Sequence, residues 1–217
     1  MPALRLNAAA YAAPLDGFLR AGDDEIHAAL TRPIGVTLTP EQLSAWRLEL
    51  PVLRTALAEA WPRPPEPGAA PWIHLEFDIP RLGRRVDAVV VTPRCVIPVE
   101  FKVGARSFER ADYEQAWDYG LDLKNFHAPS HAAAILPILC ATEAPDGDRT
   151  LKPPHADGVR PPLRASGQGL GRGIRLAVEA APTRTARRHS TAHRRENGEQ
   201  RSLARLTRLR NKNGATQ

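Results

Sequence analysis

RRVDAVVVTPRCVIPVEFKVG, residues 84–104, is the stretch that decides the fold of this chain. Two runs rich in valine and isoleucine, VDAVVVT (86–92) and CVIPVEFK (95–102), are separated only by Pro93 and Arg94, which predicts two β-strands joined by a tight turn. Their charged residues sit at the ends: Asp87 heads the first run, and Glu100 and Lys102 close the second. Side chains two residues apart on a strand share a face, so Glu100 and Lys102 project together while Phe101 points the other way. A hairpin brings Asp87 to the same edge. Two carboxylates and an ammonium at one point can hold a hard divalent cation with a water beside it, the chemistry of a metal-dependent phosphodiesterase.

Outward from this hairpin, WIHLEFDI (72–79) alternates as a further strand, and PRLGRR (80–85) reads as a turn in which Gly83 is free to take a positive φ. Upstream, Thr39 and Pro40 open a helix as cap and first residue, and Leu43, Trp46, Leu50, Leu53 and Leu57 recur at helical spacing, with Pro51 expected to kink or divide it. Residues 15–30 read as one helix or two short ones. Downstream, a helix is expected from Glu109 to Phe126, its acids Glu109, Asp112 and Glu114 suiting the positive end of the dipole. AAILPILCAT (133–142) reads as a buried fourth strand. The order helix, three strands, helix, strand predicts an α/β fold with a mixed sheet flanked by helices.

The net charge of +6 is unevenly divided. Residues 1–151 carry 15 Lys and Arg against 20 Asp and Glu, a net −5, whereas residues 152–217 carry 15 against 4, a net +11. The folded part is therefore expected to be acidic, and the overall basicity does not by itself argue for nucleic-acid binding. Residues 151–217 are rich in Pro, Gly and Arg, and no aromatic residue follows Phe126. They read as a disordered basic tail or the product of a shifted reading frame. The expected division is a helical segment at 1–38, a core at 39–150 and the tail at 151–217. No window approaches the roughly 18 apolar residues of a membrane span, and the N-terminus lacks the pattern of a secretory signal. Cys95 and Cys140, both in apolar runs, read as buried thiols, and a reducing cytoplasmic location is expected.

The D…ExK pattern in this order of elements resembles the PD-(D/E)XK nuclease superfamily, and Gln115 and Tyr119 in QAWDY resemble the QxxxY element of its RecB-like branch. IPRLGRRVD, VEFKVG, QAWDYGLDLKNFH and PILCATEA more closely resemble the N-terminal region of bacterial Schlafen-like DNA/RNA helicase proteins, over roughly residues 11–165. The resemblance implies a restriction-endonuclease-like αβββαβ core, Mg²⁺ or Mn²⁺ as cofactor, and DNA or RNA as substrate. That family continues into an AAA-type ATPase domain, whereas this sequence contains no GxxxxGK[ST], and GQGLGRG (167–173) lacks the Lys and Ser/Thr of a phosphate loop. Helicase activity is accordingly not expected, and the ATPase or helicase domain would be a partner encoded separately, or would be lost.

The resemblance assigns Asp87 and Glu100 as metal ligands, Glu100 aided by the Phe101 carbonyl, and Lys102 as the group that orients the attacking water and steadies charge in the transition state. Gln115 and Tyr119, four apart on one helical face, would touch a phosphate or the metal-bound water; helix packing is the bland alternative. Glu76 is a further candidate ligand, set against a surface strand face shared with His74 and Asp78. Glu49 and Glu25 are weaker candidates for a helix-borne acid. Asp87 could instead pair with Arg84 or Arg85, and Glu100 with Lys102 could be a strand-end ion pair. Arg81, Arg84 and Arg85 could touch a nucleic-acid backbone. His127 and His131 have zinc-like spacing, but the following Pro129 favours a role in capping and turning. The alternative function is a non-catalytic nucleic-acid or partner-binding module, or a helicase fragment without independent activity.

Overall fold

The computed structural model describes residues 9–32, 39–66, 68–79, 82–147 and 150–182. In chain order the elements are β1 (Ala9–Pro14), α1 (Leu15–Arg20), α2 (Asp23–Leu30), α3 (Pro40–Ala60), β2 (Trp72–Ile79), β3 (Arg84–Val91), β4 (Cys95–Lys102), α4 (Arg110–Phe126), β5 (Ala134–Ile135), β6 (Ile138–Ala141), β7 (Leu163–Ser166) and α5 (Leu170–Ala180). The strands form one mixed sheet of order β1-β2-β3-β4-β6-β7, with β5 alongside β4. Pairing is antiparallel from β1 to β4 and parallel from β4 through β6 to β7. The expected three-stranded run and its flanking helices are present in the expected order. Among the described residues no helix is long and apolar enough to cross a membrane.

Local chemistry explains the elements. Thr39 and Gln42 form a reciprocal capping box, the Gln42 amide donating to Thr39 Oγ1 at 3.3 Å and the Thr39 amide to Gln42 Oε1 at 3.0 Å. From that cap α3 runs as one helix from Pro40 to Ala60 and is not divided at Pro51. Pro51 lies on the exposed face, where the carbonyl its missing N–H leaves unbonded can meet water. Gly83 takes φ +62° in the turn between β2 and β3, as its sequence setting predicts. The expected fourth strand is two short pieces, because Pro137 has no amide to offer between them; the Leu136 amide still bonds the Val96 carbonyl at 3.0 Å.

Two layers cover the sheet. On one side Trp46, Leu50, Leu53 and Leu57 of α3 pack with Phe18 and Ile26 onto Ile97, Val99 and Phe101. On the other side Tyr119 and Leu123 of α4 pack onto Val89, Val91 and Val96.

Two segments depart from the sequence expectation. Ala9–Pro14 forms an edge strand on β2 inside the stretch read as helical. Residues 151–182, expected as the start of a disordered tail, contribute β7 and α5, and Leu163, Ala165, Leu170, Ile174 and Ala177 are buried in the core beneath α3. The apolar face of α5 spans small residues, which permits a close crossing: a Cβ at Gly171 would stand 2.8 Å from the Ala56 carbonyl oxygen of α3. A helix that packs this closely needs no aromatic side chain to bury itself. The compact unit accordingly extends through Ala181, and residues 183–217 of the proposed tail lie outside the described residues.

Candidate active site

The site arises where two neighbouring strands change face together. Ile73 and Leu75 of β2 point toward α3, but Phe77 and Ile79 point toward α4; in β3, Ala88 and Val90 point toward α3, but Val86 toward α4. An uninterrupted strand keeps residues two apart on one side. The reversal falls at Glu76 and Asp87, the two positions the β2–β3 pairing skips between Leu75↔Ala88 and Phe77↔Val86. Glu76 has φ +50°, alone among the described non-glycine residues in taking a positive value. A left-handed non-glycine residue costs on the order of 1–3 kcal/mol and persists only where its surroundings hold it.

Those surroundings are specific. Glu76 Oε1 accepts a hydrogen bond from Trp46 Nε1 of α3 at 2.7 Å, and Oε2 pairs with Arg85 Nε of β3 at 2.7 Å. Pairing of β3 with β4 stops at Ala88↔Val99. Immediately beyond, Asp87 Oδ2 reaches across to accept the Phe101 amide at 2.7 Å, replacing the backbone partner that the ladder no longer supplies.

Glu100 and Lys102 project together, as their spacing predicts. Lys102 Nζ lies 3.1 Å from Glu100 Oε1, 3.3 Å from Asp112 Oδ1 and 2.9 Å from Gln115 Oε1, to which it donates. Gln115 Nε2 in turn donates to the Tyr119 hydroxyl at 2.9 Å. The chain Glu100–Lys102–Gln115–Tyr119 thus links β4 to α4 and fixes the ammonium from several sides. Glu100 is 5% exposed, and its Oε2 is buried without a hydrogen-bond partner. A buried carboxylate oxygen left unbonded is costly; a cation removes that cost, and so does a proton shared with the neighbouring Asp87 carboxyl.

The electrostatics follow from burial and crowding. Desolvation, then repulsion from Glu100 and Glu49, hold the Asp87 carboxyl well above its usual range despite the Phe101 amide. Burial also raises Glu100, although Lys102 opposes this. Glu49, on α3 facing the same cleft, is pushed up to about 7 by burial and by Glu76 and Glu100. Glu76 is raised by burial, with Trp46 and Arg85 working against it. Burial lowers Lys102, but Glu100 and Asp112 more than offset it, so its pKa stands above the ordinary value. Lys102 is consequently a fixed cation and not a proton acceptor at neutral pH.

All the principal candidates except one converge: Asp87, Glu100, Lys102, Gln115 and Tyr119 form the linked set, and Glu49 joins from α3. Glu76 is present, but both its oxygens are engaged. Glu25 is exposed on α2, near Tyr11. Arg85 pairs with Glu76, and Arg84 with Asp118 and Asp122, at 3.4 and 3.1 Å; neither ion pair involves Asp87. Arg81 lies outside the described residues. His127 caps α4 and shares a hydrogen bond with Ser130 Oγ at 2.8 Å, while His131 is exposed. Asp112 and Trp46, which hold Lys102 and Glu76, show in the sequence only as a helix-dipole acid and a core residue. At the end of β7 the lookalike phosphate loop is filled from within. The Asp146 carboxylate, bonded by Ser166 and by Arg172 at 2.7 Å, occupies the space before Gly169.

Asp87 and the orphaned oxygen of Glu100 bring two carboxylates, donors of the hard oxygen type, to the same part of the cleft. Among the described residues, no group of three or more His, Cys, Asp or Glu side chains is arranged to hold a metal ion by itself. Backbone oxygen or water must therefore complete any coordination sphere. No family model, curated protein or solved structure matches the chain.

Beneath α4, His74 is 1% exposed with neither ring nitrogen bonded, and burial, with His127 nearby, drives its pKa down to about 4. The unfolded chain therefore takes up this proton near pH 6.5 and the folded chain only near 4, so His74 removes stability as pH falls through that window. His74→Leu is expected to abolish about 2 kcal/mol of the stability lost between pH 7 and pH 5. Urea denaturation of both proteins at the two pH values measures the difference.

Proposed function

We propose that this chain is a metal-dependent nuclease module of the PD-(D/E)XK type, hydrolysing phosphodiester bonds of DNA or RNA. The observation that carries it is the convergence of Asp87, Glu100 and Lys102 at one point of the sheet, with a buried Glu100 oxygen left unbonded. Asp87 and Glu100 would hold Mg²⁺ or Mn²⁺, which when bound would polarise the phosphoryl group and acidify a water. Lys102, kept charged by Glu100 and Asp112, would face the anionic phosphoryl oxygens and stabilise the charge that builds there. Gln115, braced by Tyr119, would keep that ammonium in place. An ATPase supplied by another domain or chain would be its working partner.

A second reading, a non-catalytic binding module with the site retained but idle, is favoured by one observation: Lys102 is already held by Glu100, Asp112 and Gln115. Calorimetric titration separates the two. The nuclease reading expects Mn²⁺ to bind the full-length protein at millimolar or lower concentration, and Asp87→Asn and Glu100→Gln each to weaken binding by more than the roughly 10–100-fold that loss of a mere outer-shell partner costs. Absence of binding to the wild type at millimolar Mn²⁺ would leave only the idle module.

A further inference from the structure

We propose that Glu76 is a positioning residue, the strut that sets the face reversal in β2 and β3 and thereby delivers the Asp87 carboxylate to the Phe101 amide. It need not touch the substrate or the ion to act.

Three observations meet at this residue. Its backbone is left-handed in the middle of a strand, a conformation a glutamate does not adopt by preference. Its two carboxylate oxygens are taken by two different elements, Trp46 of α3 and Arg85 of β3. Arg85 lies two residues before Asp87, so the same ion pair that fixes the glutamate also fixes the segment from which Asp87 departs. Without the strut, the simplest β2–β3 pairing continues in register through Glu76 and Asp87. Asp87 then alternates regularly between Val86 and Ala88, and the two-residue alternation that places Ala88 and Val90 toward α3 turns Asp87 toward α4. The contact with Phe101 that now ends the β3–β4 ladder is lost in that arrangement. Trp46 gives the strut a second function: it ties the reversal to α3, the helix that also carries Glu49 into the cleft.

The consequence for an ion rests on the nuclease reading, but the consequence for Phe101 does not, and the experiment uses both. Amide hydrogen exchange at Phe101 and at Val99 is measured in the full-length wild type, Glu76→Gly and Trp46→Phe. Glycine takes φ near +50° without strain but offers no carboxylate. Trp46→Phe removes one donor while keeping an aromatic side chain in the core. A general loss of stability speeds both amides equally, whereas loss of the Asp87 contact speeds Phe101 alone. The ratio of Phe101 to Val99 exchange is expected to rise at least tenfold in Glu76→Gly and about threefold in Trp46→Phe. An unchanged ratio in Trp46→Phe, or in a folded Glu76→Gly, overturns the inference. Mn²⁺ titration of the same proteins then separates the two claims. A raised ratio with no Mn²⁺ binding to the wild type retires the metal and keeps the strut. Tight wild-type binding with an unchanged ratio does the reverse.

Discussion

Lys102→Ala is expected to lower Mg²⁺- or Mn²⁺-dependent cleavage of DNA or RNA by about 10²–10³-fold, the usual cost of removing one charge-stabilising donor from a preorganised site. Lys102 sits at the end of β4, partly exposed, and is held in place by Glu100, Asp112 and Gln115. Removing it deletes no buried apolar volume from either core layer, so circular dichroism should change little, but it leaves the buried Glu100 without its charge partner, so the thermal midpoint should fall. The loss of that cation raises the Glu100 carboxyl further and weakens the site at neutral pH. Lys102→Arg keeps the charge but cannot present a compact ammonium to Gln115, and should recover only part of the rate. Equal cleavage by wild type and Lys102→Ala, measured on the same preparation against a metal-free control, would dispose of the nuclease assignment.

Ile174→Asp should unfold the protein or leave it insoluble. Ile174 is fully buried at the centre of the α5 face that meets α3 and the sheet. An unpaired carboxylate there meets only apolar neighbours and carries a penalty of several kcal/mol, comparable to the whole stability of a domain of this size. Ile174→Ala, which removes only packing, should cost about 2–4 kcal/mol and show as a lower urea midpoint. A protein with Ile174→Asp that retained wild-type denaturation would mean that residues 163–181 are not part of the core after all.

The two experiments probe regions that differed in how plainly the sequence announced them. The strands β2 to β4 were legible because valine-rich runs with short turns between them have few alternative structures. The α3 cap was legible because Thr39, Pro40 and Gln42 occupy fixed positions relative to the first helical turn. Within the linked set, strand periodicity pairs Glu100 with Lys102 and helix periodicity pairs Gln115 with Tyr119, whereas the joining of the two pairs and of Asp87 was implied only by the family resemblance. β1 was not, since AAYAAP carries almost no alternation of polarity and forms only because β2 offers an edge. α5 was obscured by its own glycines, which read as loop signals in isolation but serve as points of close approach to α3. The engagement of Glu76 by Trp46 and Arg85 had no local signal at all. It depends on a backbone conformation that a glutamate in a strand does not advertise, and on partners 30 residues upstream and nine downstream of it.

The crossing of α5 over α3 sets a timetable for folding. The helix that covers one side of the sheet is synthesised early, at Pro40–Ala60, yet its packing partner ends only at Ala180. Arg175 donates to the Glu59 carbonyl at 2.9 Å, closing a loop of more than a hundred residues. During synthesis the α3 side of the sheet stays incomplete and its apolar surface exposed until α5 emerges, while the α4 side can close much sooner. A chain with that schedule depends on long-range closure for its last step, and the nascent protein is most open to aggregation in the interval before α5 arrives.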